Sequence, residues 1–132
     1  LCDFLILNAG EAELLAGKPD QAKNYAKEFF EKYNAESIIT LGNKGAVLAN
    51  ASGVYRTEAL ELKPVDTVGA GDAFVGVFAA SLSSGKNSLS ALSYASIAGG
   101  LTCLVEGAQA SLLSTREIEK NIIKIQPPEK IE

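Results

Sequence analysis

The alternation of apolar and polar positions divides the chain into short strands and amphipathic helices. Apolar runs bounded by turn residues predict four strands: Asp3–Leu7, Ser37–Leu41, Ala46–Ala49 and Val54–Thr57. Apolar positions at helical spacing predict helices after Asn8 and over the ranges 19–34, 70–84, 88–104 and 114–125. The first two strands are predicted to be buried. Strand, helix, strand, hairpins and a helical block together indicate an α/β fold, with helices packed on a largely parallel sheet.

A turn of small residues leads into the predicted helix at 70–84 and carries an aspartate, Asp72. Gly69, Ala70 and Gly71 let the backbone come close to an anion. The first N–H groups of a helix lack intrahelical partners and carry the positive end of its dipole, so they favour a phosphate. Asp72 could accept the proton of an attacking hydroxyl. On this turn alone, an ordinary glycine-rich turn with Asp72 as N-cap is equally favoured.

Four segments in order resemble the signatures of the ribokinase-like, PfkB-type carbohydrate kinases. They are NAGE at 8–11, ITLGNKG at 39–45, DTVGAGDAFVG from residue 66, and EGAQAS at 106–111. The resemblance implies a ribokinase-like three-layer sandwich, of which residues 1–126 would be the C-terminal nucleotide-binding and catalytic part of one domain. The family's members are much longer, and the chain opens on Leu1 inside an apolar run, so we expect it to be part of a longer polypeptide. Pro127 and Pro128 predict that residues 127–132 form a flexible tail.

The resemblance also implies the reaction. It makes the chain part of an ATP-dependent kinase that phosphorylates a hydroxyl of a small sugar, ribose or a related one. Asp72 would be the general base, and the backbone N–H groups of Gly69, Ala70 and Gly71 would form the anion hole. ATP and Mg²⁺ are the implied cofactors. A nucleoside kinase similar to adenosine kinases and a non-catalytic nucleotide-binding regulator remain alternatives.

Three groups of residues are candidates for the nucleotide site. Asn8 and Glu11 have the spacing of a helix capping box, whereas the resemblance places them, with Glu11 acting through water, around the magnesium ion. The turn residues Thr40, Gly42, Asn43 and Gly45 fit a tight hairpin and, by resemblance, line the nucleotide. Ala95, Ala98 and Gly99 fit close helix packing and, by resemblance, lie beside the adenine.

The resemblance further implies a monovalent cation site, best suited to K⁺ because its ligands are carbonyl and carboxylate oxygens. Its residues would be Asp66, Val68, Val105, Gly107 and Ser111. Taken alone, Asp66 is equally typical of an Asx turn after a proline.

The composition limits the classes of partner that the chain is expected to bind. A net charge of −4 and a pI near 4.9 argue against a nucleic-acid partner. No apolar run is long enough to span a bilayer, and histidine is absent. Cys2 and Cys103 lack metal-like spacing and predict buried thiols in a reducing, cytoplasmic compartment. The expected partner is a sugar or nucleoside, and the resemblance allows a homodimer formed through a lid outside this chain.

Overall fold

The structure is a computed structural model of the chain and describes residues 2–60, 69–103 and 115–132. Residues 1–56 together with 129–132 form one compact unit, and residues 57–128 form a second. The prediction that 1–126 is part of a single domain stays a prediction.

The helices and strands follow the predicted order closely. The strands are β1 (Phe4–Asn8), β2 (Glu36–Thr40), β3 (Ala46–Asn50), β4 (Gly53–Thr57) and β5 (Glu129–Lys130). The helices are α1 (Ala9–Ala16), α2 (Ala22–Tyr33), α3 (Ala70–Ser83), α4 (Ser88–Thr102) and α5 (Thr115–Asn121), with 3₁₀ turns at Gly42–Lys44 and Ile122–Lys124. The predicted α/β fold is confirmed.

The five described strands lie in the order β1-β2-β3-β4-β5 within one mixed sheet. β1 and β2 are parallel, because a helical crossover joins them. β2 and β3 are antiparallel across the short turn at 42–44. The predicted burial of β1 is wrong: its residues 4–7 are half-buried, since it is the outermost of the described strands.

Helix α2 packs its apolar face on this sheet. Tyr25, Ala26 and Phe29 are buried and join a core that includes residues of β2, β3 and β4. The helix begins at Ala22 instead of Pro19, because Asp20 Oδ1 accepts hydrogen bonds from the backbone N–H of Gln21 and from Asn24 Nδ2, both at 2.7 Å. These bonds hold the preceding residues in a turn. The Asn24 bond is the largest cause of the lowered pKa of Asp20, and the Gln21 bond is the next.

Within the predicted tail, Glu129 and Lys130 form β5, and the flexibility of residues 127–132 stays a prediction. Arg56 pairs with Glu129 and Tyr55 with Lys130 in an antiparallel ladder. Lys27 Nζ lies 2.9 Å from Glu132 Oε1, and this hydrogen bond raises the pKa of Lys27 and lowers that of Glu132. Both side chains are exposed, so the ion pair is screened and adds little stability. The backbone pairing with β4 is therefore what holds this segment.

Gly53, the first residue of β4, offers a test of that pairing. Its φ is +142°, and a Cβ built there would lie 2.6 Å from the Glu132 carbonyl oxygen. We expect Gly53→Ala to lower the free energy of unfolding by about 1–3 kcal/mol, because it combines backbone strain with overpacking. Gly85→Ala is the control, since Gly85 has a positive φ with no described atom within 4 Å of the added Cβ. Chemical unfolding showing equal losses for the two variants would contradict the clash with Glu132.

The second unit is built on α3 and α4, which pack against each other. Phe74 and Phe78 of α3 are buried, as is most of the middle of α4. A smaller core joins α4 to α5 through Ile97, Ala98 and Ile118. This unit holds the N-terminus of α3, where the sequence predicts the anion hole.

The cysteines differ from the prediction. Cys2 is exposed and Cys103 is half-buried. Cys2 precedes β1 and Cys103 follows α4, so neither lies in the buried middle of an element. Within the described ranges, no helix is long and apolar enough to cross a membrane.

Candidate active site

In the first unit, two predicted nucleotide segments meet at one edge of the sheet. Asn8 is the last residue of β1 and Thr40 the last of β2, and the parallel register pairs them directly. Thr40 Oγ1 donates to the carbonyl of Leu7 at 3.5 Å. Ligands of open α/β sheets bind at the carboxyl ends of the strands, which is the edge where these residues lie.

Asn8 and Glu11 form the predicted capping box at the start of α1. Asn8 Oδ1 accepts from the Glu11 backbone N–H at 2.8 Å, and Glu11 Oε2 accepts from the Asn8 backbone N–H at 2.9 Å. Both residues are exposed. The structural interpretation of this pair is therefore confirmed, and its magnesium role stays a prediction.

The turn after β2 is narrow and depends on two glycines. Gly42 has φ +58° and Gly45 φ +91°, in the region that favours glycine. Leu41 N–H donates to the Gly45 carbonyl at 2.8 Å, and Lys44 N–H donates to the Leu41 carbonyl at 3.1 Å. Residues 42–44, including Asn43, are exposed. The predicted hairpin turn is confirmed, and its surface is open to a ligand.

Sequence reasoning missed a contact to this turn from β4. Arg56 Nη2 donates to the Lys44 carbonyl at 3.3 Å. No local motif marks Arg56, because its position over the turn follows from the register of strands that lie apart in sequence.

In the second unit, no side chain of the described residues caps the N-terminus of α3. Its N-cap is Gly69, which has φ +82° and no side chain with which to cap the helix. The first intrahelical bond runs from Ala73 N–H to the Gly69 carbonyl at 2.9 Å, so the N–H groups of Ala70, Gly71 and Asp72 precede it. By contrast, α4 begins with Asn87, whose side chain accepts from Ser90 N–H at 2.9 Å. The start of α3 is thus suited to an anion.

Asp72 is not the N-cap that the sequence left open as an alternative. It is the third residue of α3, in the same helical position that Glu11 has in α1. Glu11 uses its carboxylate to close its own helix end, whereas no described residue forms a hydrogen bond with the exposed Asp72 carboxylate. Two acids at matching positions therefore differ: Glu11 completes a cap, and Asp72 remains available.

The small residues of α4 serve helix packing. Ala95 and Ala98 are fully buried in the second unit. A Cβ on Gly99 would lie 3.4 Å from the Ala70 carbonyl oxygen and 3.9 Å from Phe74 Cβ, so Gly99 lets α4 approach the first turn of α3. Their contact with adenine stays a prediction, and the burial of the two alanines gives it no support.

The residues predicted for the monovalent cation lie outside the described residues. They are Asp66, Val68, Val105, Gly107 and Ser111. Within the described part of the chain, no group of three or more acidic or cysteine side chains could hold a metal ion.

Comparison with known proteins adds to this geometry. Residues 1–116 match the pfkB family of carbohydrate kinases. The chain belongs to this family. The matched range includes the capping box, the turn at 42–45 and the start of α3.

Ribokinases are among the proteins similar to the pfkB-family chain. It is 32% identical over 125 residues to the ribokinase of Staphylococcus aureus (strain COL), with 91% of this chain and 41% of the relative covered. The crystal structure of Thermotoga maritima ribokinase is similar with a TM-score of 0.84 and 33% identity, covering 92% of this chain and 42% of that one.

A third similar protein carries ligands. The crystal structure of an Escherichia coli protein named ribokinase II, in complex with ATP and Mg²⁺, has a TM-score of 0.81 and 29% identity. The match covers 92% of this chain and 39% of that one. The pfkB-family chain therefore spans about two fifths of the length of the relatives it matches.

Proposed function

We propose that the polypeptide containing this chain transfers the γ-phosphoryl group of ATP to a hydroxyl of a small sugar, ribose or a related one. The observation that carries the proposal is the start of α3. There, among the described residues, no side chain caps the first N–H groups and none forms a hydrogen bond with the exposed Asp72 carboxylate. Membership of the pfkB family supports it, as do the names of the similar ribokinases.

Phosphoryl transfer needs positioning, charge neutralisation and a group that takes the hydroxyl proton. The Asp72 carboxylate would accept the proton of the sugar hydroxyl as its oxygen attacks the γ-phosphorus. The N–H groups at the Gly69–Gly71 turn, backed by the dipole of a 14-residue helix, would stabilise the charge on the transferring phosphoryl oxygens. The bond to the β-phosphate oxygen then breaks, and ADP leaves.

The strand ends of the first unit would hold the nucleotide. The exposed residues 42–44 would bring their backbone against ATP, where Gly42 leaves room. Glu11 Oε2 accepts the hydrogen bond that completes the cap. No described residue forms a hydrogen bond with the other carboxylate oxygen, which fits a contact with a magnesium-bound water. Magnesium, when bound, would neutralise phosphate charge.

The experiment is ADP release by the full-length polypeptide with Mg-ATP and a panel of pentoses, hexoses and nucleosides. We expect turnover to depend on one sugar, which names the acceptor. Turnover on a nucleoside alone would replace the sugar assignment with a nucleoside kinase. Tight ATP binding without turnover on any acceptor would favour a non-catalytic regulator.

We also propose that K⁺ activates the reaction through the loop residues around Asp66 and Gly107. Carbonyl and carboxylate oxygens favour K⁺, and a cation beside the anion hole would stabilise the turn that forms it. We expect turnover to be several-fold higher in K⁺ than in Na⁺ or Li⁺ at the same ionic strength. The measurement is initial rate in the three chlorides, and equal rates would eliminate this site.

A further inference from the structure

Arg56 ties the turn at Gly42–Lys44 to the sheet. The bonds within the turn join residues 41 to 45 to one another, so they fix its internal shape. The bond from Arg56 Nη2 to the Lys44 carbonyl, 3.3 Å long, instead reaches the turn from β4, twelve residues along the chain. It therefore constrains the direction in which the turn projects from the sheet.

The backbone that carries Arg56 is itself well held. β4 lies between β3 and β5 in the sheet, and Arg56 pairs with Glu129 across the β4–β5 ladder. Although Glu129 has the opposite charge, no ion pair joins the two side chains in the described residues. The guanidinium is planar and always charged, and it presents several N–H donors in a fixed geometry.

We propose that Arg56 is a positioning residue for the nucleotide. By holding the Lys44 carbonyl, it keeps the exposed backbone of 42–44 in the shape that receives ATP. Together with Lys44, it also places positive charge at this turn in a chain whose net charge is −4, which favours a polyphosphate. This inference rests on the proposed function of the turn.

The test compares Arg56→Ala with Arg56→Lys in the full-length polypeptide. Loss of a hydrogen bond and a charge should raise the Kd for Mg-ATP, measured by calorimetry, about three- to tenfold. The KM for ATP should rise by the same factor, while kcat and the KM for the sugar stay within about twofold. Lysine should recover much of the affinity, because it keeps both a donor and the charge.

Arg116→Ala is the control, because Arg116 is the other arginine of the chain and is exposed on α5. Its ATP affinity should equal that of the wild type. Without ATP, Arg56→Ala should also speed amide hydrogen exchange at Lys44 and Gly45, a change that does not depend on activity.

The outcomes separate this inference from the proposed function. If the wild type binds ATP and Arg56→Ala binds it equally well, the positioning role is wrong and the kinase proposal stands. If both KM values rise while kcat and Tm fall, Arg56 is a general structural residue and the inference is also wrong. A wild type that binds no ATP would overturn the proposed function and this inference with it.

Discussion

Replacing Asp72 by asparagine is expected to lower turnover by about 10²–10⁴-fold, the contribution typical of a positioned general base. Asparagine keeps the size of the side chain but cannot take the proton of the attacking hydroxyl. Because the Asp72 carboxylate forms no hydrogen bond with a described residue, its loss should leave the start of α3 intact. The Kd for Mg-ATP should therefore stay within about twofold of the wild-type value.

Asp3→Asn is the matched control for this variant. It makes the same chemical change at an exposed aspartate that precedes β1. We expect steady-state kinetics of Asp3→Asn to match the wild type. If Asp72→Asn kept most of its activity, the assignment of the base would be wrong. If it lost ATP binding as well, Asp72 would hold the helix terminus or the nucleotide instead.

Gly71→Val is expected to damage both ATP binding and turnover. Gly71 is the second residue of α3, and a Cβ there meets no described atom within 4 Å. The protein itself thus tolerates a side chain, whereas a phosphate approaching the N–H groups of the turn would meet the branched valine. We expect the Kd for Mg-ATP to rise at least about tenfold, as expected for loss of the close backbone approach.

Gly76→Val provides a closely matched control. Gly76 is also exposed on α3, with no described atom within 4 Å of an added Cβ, and it follows the first turn of the helix. The two variants should change the free energy of unfolding equally, within about 0.5 kcal/mol, because both are surface changes in one helix. Equal ATP affinity in the two variants would show that the phosphate does not approach at Gly71.

Local patterns predicted much of the fold and the chemistry. The spacing of Asn8 and Glu11 predicted a capping box that the structure confirms with two hydrogen bonds. Glycines at 42 and 45 predicted the turn between β2 and β3, since both adopt positive φ. The small residues before Asp72 predicted a helix start open to an anion. Each of these features depends on residues within four positions of one another.

Features that depend on residues far apart in the chain could not be predicted from local sequence patterns. Residues 129–130 form β5 only because β4 offers them a pairing edge more than seventy positions earlier. The contact from Arg56 to Lys44 likewise follows from strand register and not from a motif. The start of α3 also shows a limit of pattern reading, because an acid at the third helical position serves as a cap in α1 but stays unbonded to the described residues in α3.

The central claim is most directly tested by following the γ-phosphoryl group itself. The full-length polypeptide, with Mg²⁺, K⁺, ribose and ATP labelled at the γ-phosphate, is sampled over time, and labelled sugar phosphate is separated from inorganic phosphate. We predict that the wild type moves the label to the sugar and that Asp72→Asn transfers it at least about a hundredfold more slowly. Equal transfer by both proteins, or label that appears only as inorganic phosphate on every sugar tried, would contradict the account.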